Sequence, residues 1–339
     1  MASPAVASDA RPPAILHPPR DSTSSWPLLD RLAYGLCWAT GIGLCLIAGA
    51  IVVFMLVKGV AYLQPKLFVE SPLASLHQSQ AGGFLDPIAG TLIVTAIGIL
   101  IAGPLGVAIA AWLSEYGNPP WLARAVESSI ETIAGIPSIV LAIFGLIIFS
   151  QGFLGFLSQR AVDGTVTATS FIVAGIVMGI LALPLVFGST REALAQLPGR
   201  TREASLALGK TRITTIRSVL LPSIRPGIAS GVVLGIGRII GDTAIIVILL
   251  GETLKIEPNG NVPVIGALRG TGSTLTSYVY KNSPAGEGNA PQKAYAAAFV
   301  LLMIVLILNA LVTRLSGGRA RPRRRRPGSR MIAGLPWSR

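Results

Sequence analysis

Arg238 and Asp242 interrupt an otherwise charge-free stretch running from Pro226 to Leu250. A guanidinium donates in a planar fork that matches two oxygens of a tetrahedral oxyanion. Four residues on, in helical spacing, a carboxylate lies one turn away on the same face. There it neutralises Arg238 when no anion is present and keeps a bound anion from being trapped. If the stretch crosses a bilayer, Arg238 falls at its middle, where a charge costs about 2.5–3.5 kcal/mol on insertion scales and must face an interior or a pathway. Two other readings stay open: a structural ion pair locking helices together, and a proton relay in a secondary transporter or proton-coupled channel.

Other chemistry-bearing residues point less far. Gly209-Lys210-Thr211 has the tail of a phosphate-binding loop, but such a loop needs a glycine five positions earlier and a preceding strand. That position is Ala204, inside a segment of helix-favouring residues. Cys37 and Cys45, eight residues apart in an apolar run, sit about 12 Å apart in a helix, too far to bond, and read as small buried hydrophobes. His17 and His77 stand alone, so no metal site is readable. Glu131, at the start of an apolar stretch, suits a helix-end cap better than a substrate contact.

The elements that must position Arg238 follow from composition. The 339 residues are 51% hydrophobic and 13% charged, which excludes a disordered chain, a fibrous repeat and an ordinary soluble domain. Charge-free stretches at Leu32–Val57, Pro87–Ser114, Thr132–Gln159, Gly164–Thr190 and Ala294–Thr313 each reach the roughly 20 residues that span a bilayer as helix. With Pro226–Leu250 they make six transmembrane helices in an all-α, polytopic membrane protein. Continuous apolarity argues against a membrane barrel, and prolines such as Pro104, Pro137 and Pro184 are tolerated in bilayer helices. Gly231/Gly235 and Gly237/Gly241 predict close helix packing. The segment 1–30 has no apolar core of a signal peptide and reads as a disordered tail.

The net charge of +13 is unevenly placed. With the N-terminus inside, twenty Lys and Arg fall on inner segments: three before the first span, Arg124, seven from Arg191 to Arg225, and nine from Arg314 onward. Seven fall outside, namely Lys58, Lys66, Arg160, Lys255, Arg269, Lys281 and Lys293. Cytoplasmic loops carry such an excess, so both termini are expected in the cytoplasm of a multi-pass plasma or inner membrane protein. The tail 316–339, with the run from Arg319 to Arg330, suits anionic lipid headgroups and lacks any module for reading nucleic acid. The loop 252–293 is rich in Gly, Asn, Pro and Ser and lies near the outer mouth, where it can gate or meet a delivery protein.

Within the inner loop 191–225, Glu203-Ala204-Ser205, three residues, Gly209, nine residues, Val219 and Leu221-Pro222 follow the "EAA" signature of ABC-importer permeases. A short helix ended by Gly209 and flanked by Arg202, Lys210 and Arg212 makes a docking knob. An amphipathic loop on the lipid surface would explain the basic residues but not this spacing. Further segments resemble the phosphate-specific ABC-importer permeases: Gly82-Gly83 with Ile88-Ala89-Gly90-Thr91-Leu92, Pro104-Leu105-Gly106, Leu113-Ser114-Glu115-Tyr116, Ala134 to Val140, and Gly237 to Ala244. Asn309 fits the A-type subunit, PstA. The likeness covers about residues 80–315; there the family usually carries Glu at the position of Asp242 and a Leu-Pro-Val segment near Val262-Pro263-Val264.

The resemblance implies a type I ABC-importer permease that moves inorganic phosphate by alternating access. It implies a sister permease of PstC type, two ATPase subunits of PstB type and an extracytoplasmic phosphate-binding protein of PstS type. ATP and magnesium would then sit on the ATPase subunits and no cofactor on this chain. Arg238 and Asp242 would line the pathway, while Glu203, Ala204, Ser205, Gly209, Leu221 and Pro222 would couple it to the ATPases. Spacing leaves open another oxyanion, sulfate or molybdate.

Overall fold

The computed structural model describes residues 27–60, 62–72, 82–157, 167–251, 253–256, 263–284, 286 and 290–316. His17, His77, the segment 1–26 and the basic run after Ser316 lie outside the described residues. Apart from a single bridge residue at Thr271, every regular element described is helical. In chain order these are α1 (Leu28–Val60), α2 (Leu85–Tyr116), α3 (Pro120–Gly135), α4 (Ser138–Phe149), α5 (Phe171–Ala195), α6 (Gly199–Ala207) and α7 (Arg212–Thr215). A π-helical turn, Ile216–Leu220, joins α7 to α8 (Leu221–Ser223). Then come α9 (Arg225–Gly241), α10 (Ala244–Leu250), α11 (Pro263–Arg269), α12 (Leu275–Asn282) and α13 (Pro291–Leu315).

Four helices, α1, α2, α5 and α13, are long and apolar enough to cross a membrane alone. Two bent pairs, α3 with α4 and α7–α8 with α9, bring the number to six when each pair is counted as one broken span. The chain is therefore a polytopic all-α membrane protein. The prolines inside α2 and α5, Pro104 and Pro184, leave both helices continuous.

Three expected stretches differ from what forms. Thr132–Gln159 is not one straight helix: α3 and α4 meet at 108°. Ile136, ahead of Pro137, is forced into extended backbone at φ −73° and ψ 130°, which ends α3. Glu131 accordingly lies exposed within α3 and caps nothing. Pro226–Leu250 breaks after Gly241, where Asp242 is extended (φ −86°, ψ 123°). The loop 252–293 is partly built: it contains α11 and α12, and its last residues begin α13.

The chain divides into two compact units, 1–54 and 55–339. In the first, the described residues are the start of α1, whose apolar side chains and both cysteines are exposed rather than buried. For a membrane helix that exposure is to lipid or to a partner, not to water. In the second unit α2, α5 and α9 form the centre, with Gly98 of α2 facing Gly175 and Gly179 of α5. Met178, Val186, Ile239, Ile245 and Leu249 fill the core between them and α10. A smaller cluster, in which Phe84 and Tyr278 meet edge to face at 5.5 Å, joins α12 to α13 and the start of α2.

Candidate translocation pathway and docking segment

Arg238 occupies the last turn of α9, where the helix carbonyl ends favour a cation. Its side chain is 45% exposed, whereas that of Asp242 is 5% exposed. Their closest approach is 3.9 Å, from Nη2 to Oδ2, a loose pair. The short aspartate reaches elsewhere: Oδ1 accepts the backbone N–H of Ile245 at 3.1 Å and so caps the first turn of α10. Because Asp242 follows the end of α9, the two residues do not share one helix face, as a continuous span would require. The break frees backbone groups that lipid cannot satisfy. Thr276 of α12 donates its hydroxyl to the Ile240 carbonyl at 2.6 Å and supplies one of them.

The two glycine pairs of α9 separate by face. A Cβ on Gly231 would come within 2.9 Å of the Val186 backbone, so that pair packs on α5. Gly237 and Gly241 have nothing within 4 Å of such a Cβ and flank Arg238 on an open face. The arginine is thus presented outward from the core, on small-residue backbone that lets another surface approach closely.

The candidate docking segment is built around Gly209. With φ at +81°, it ends α6 in a left-handed turn. Gly209 N–H donates to Leu206 O at 2.9 Å and Lys210 N–H to Ser205 O at 3.3 Å, the paired bonds of a Schellman cap. Lys210 then turns to Ser218 Oγ at 3.2 Å, and the Thr211 side chain caps α7 by accepting from Thr214 N–H. Gly209-Lys210-Thr211 is helix punctuation. Ser205 is buried against Thr215, their hydroxyls 2.9 Å apart, which fixes α6 on α7. Glu203 and Ala204 are exposed, Leu221 and Pro222 half-buried at the foot of the segment. Leu206, Leu208 and Ile213 are exposed as well, Leu208 to 81%, giving a charged knob an apolar tip.

Spacing within the loop does not reveal how the knob is held. Arg202 Nε bonds Glu115 Oε1, at the end of α2, at 2.6 Å; its Nη2 reaches Ser114 Oγ at 3.2 Å and Leu194 O at 3.4 Å. Arg212 adds a bond to the Glu115 carbonyl at 3.3 Å. Arg191 pairs with Glu127, joining α5 to α3. These acids lie in segments distant along the chain, and only the quoted Ser114-Glu115 dipeptide hinted at them.

Residues 102–321 match the family described as "binding-protein-dependent transport system inner membrane component". The phosphate transport system permease PstA 1 of Mycobacterium tuberculosis is 30% identical over 236 residues, covering 69% of this chain and 70% of the relative. PstC of Xylella fastidiosa is 28% identical over 239 residues, 67% of this chain and 69% of the relative. The probable ABC transporter permease YqgH of Bacillus subtilis is 33% identical, covering 65% of this chain and 70% of its own length. Among solved structures, a bacterial alginate ABC transporter superposes with a TM-score of 0.59 at 18% identity, covering 85% of this chain and 94% of that one. The helical architecture is thus that of a type I ABC-importer permease. The chain belongs to the family of binding-protein-dependent transport inner membrane components, the multi-pass permease subunits of ABC importers, whose ATPase is a separate subunit and whose cargo arrives on a binding protein.

Proposed function

We propose that this chain is the A-type permease of a phosphate importer, forming the pathway with a sister permease of C type. Two ATPase subunits of B type carry ATP and magnesium and dock on α6, and a phosphate-binding protein of S type delivers from outside. Relatives named for A-type and C-type phosphate permeases both match this chain, as expected when two related chains sit side by side. The observation that carries the reading is Arg238: a guanidinium halfway along a broken membrane span, half exposed, flanked by open glycines and only loosely held by Asp242. A cation so placed is not consumed by a tight internal pair, so it is available to an oxyanion. Asp242 supports it mainly by fixing the bend. The excess of cations on the inner segments supports a cytoplasmic position for α6 and both termini.

The test is phosphate uptake into vesicles holding the complete importer. Arg238→Gln keeps the bulk of the side chain and removes the charge. It is expected to lower uptake about tenfold or more, the cost of losing a charge-assisted hydrogen bond, while the complex assembles at parental levels. Normal uptake by an assembled Arg238→Gln complex would rule the pathway role out. Excess sulfate or molybdate in the parental assay is expected to leave phosphate uptake unchanged; strong competition would reassign the cargo.

A further inference from the structure

Each end of α2 is gripped by a different loop. At one end Glu115 holds both helices that flank Gly209: its carboxylate takes Arg202 of α6, and its carbonyl takes Arg212 of α7. The Arg202–Glu115 pair is largely enclosed, with side chains 28% and 14% exposed, and is therefore less screened than a surface pair. At the other end, Thr91 Oγ1 accepts the N–H of Leu275 at 2.9 Å and donates to Pro87 O at 2.7 Å. Beside it, Gly90 lies so close to the Ser273 carbonyl that any Cβ there would strike it. The first turn of α12 is stiffened by a capping box between Thr274 and Ser277. The next residue after Leu275, Thr276, reaches the Ile240 carbonyl at the break beside Arg238.

We infer that α2 is the element that carries displacement of α6 to the bend at Arg238, making Glu115 and Thr276 positioning residues for the transport step. The inference rests on the reading of α6 as the ATPase-docking helix. Glu115 and Thr91 are separated by about 36 Å of helix that stays continuous through Pro104. As a continuous helix, α2 links a displacement at one end to the other. At mid-length it also touches α9: Ile239 lies over Gly98, and Ile99 lies against Gly235. A shift of α6 thus moves the Ile240 carbonyl through α12 and the Arg238 turn through direct packing. The competing route is the covalent one, from α7 through the π-turn and α8 into α9, which meet at 71°.

The ratio of oxyanion moved to ATP hydrolysed, measured in vesicles with the complete importer, separates the two routes. Glu115→Gln and Arg202→Gln are each expected to lower the ratio about fivefold or more, with ATP hydrolysis stimulated by the binding protein retained. Reversing the pair, Glu115→Arg with Arg202→Glu, is expected to restore most of it. Thr276→Val, close in shape but without the hydroxyl, is expected to lower the ratio, and Thr276→Ser to restore it. Unchanged ratios in the single variants, or transport and hydrolysis falling in equal proportion, would overturn the inference and leave the covalent route. The ratio is read with whichever oxyanion the parental complex carries, so a wrong assignment of cargo would show as failed phosphate uptake by the parent and leave this test intact.

Discussion

Asp242 shows how one residue type supports two different accounts. Its separation of four from Arg238 suggested a salt bridge along a helix, and the pair does form, but at 3.9 Å. The stronger bond is to the Ile245 N–H, so the carboxylate's first task is to start α10 after a break. The two roles are separable. Asp242→Asn keeps an acceptor for Ile245 while removing the charge, and should leave the thermal stability of the purified complex near the parental value. Asp242→Ala removes the acceptor and should cost about 1 kcal/mol, the usual loss of an N-cap. Equal stability of the two variants would mean that the cap contributes nothing. A substantial loss in the asparagine variant would restore the ion pair as the main contribution. Sequence could place both residues in the span, but the break that decides their roles comes from the extended backbone at Asp242 and from Thr276 of α12, 36 positions beyond Ile240.

At the scale of elements, apolar runs locate helices well and their ends poorly. Hydropathy cannot distinguish Thr132–Gln159 as one straight helix from two helices meeting at 108°, because both bury or expose the same apolar side chains. The informative signal was local: Ile136 before Pro137, a pairing that disfavours helix. The turn of the candidate docking segment was legible for the same reason, since Gly209 specifies it from its own backbone. Its anchorage was not, because Arg202 and Glu115 are 87 residues apart and pair only after folding. The cap at Gly209 yields a prediction of its own. A β-branched residue at φ +81° is strained by roughly 1–2 kcal/mol, whereas asparagine tolerates that region. Gly209→Val should therefore weaken co-purification of the ATPase subunits with the membrane complex, and Gly209→Asn should preserve it. Equal recovery from both variants would show that the angle of α6 does not matter to docking.

For the whole molecule, composition was the most direct guide: 13% charged residues and long apolar helices leave no environment but a bilayer. Orientation is the property that the helices alone do not show, and it rests on where the cations lie. Lys66, on the short turn after α1, and Leu208, at the tip of α6, lie in the same compact unit, and both are highly exposed, Lys66 with 73% of its side chain and Leu208 to 81%. The charge distribution assigns them to opposite sides of the membrane. Cys37 and Cys45 sit on α1, inside its apolar membrane-spanning stretch, so a membrane-impermeant thiol reagent should not reach them and should leave them unlabelled. Replacing both with serine removes any residual background. In sealed, right-side-out vesicles Lys66→Cys is expected to label and Leu208→Cys to label only after the membrane is opened. Inverted vesicles should exchange the two results. If Leu208→Cys labels from outside, α6 cannot meet a cytoplasmic ATPase. The excess of arginine from Arg191 to Arg225 would then need a reason other than topology.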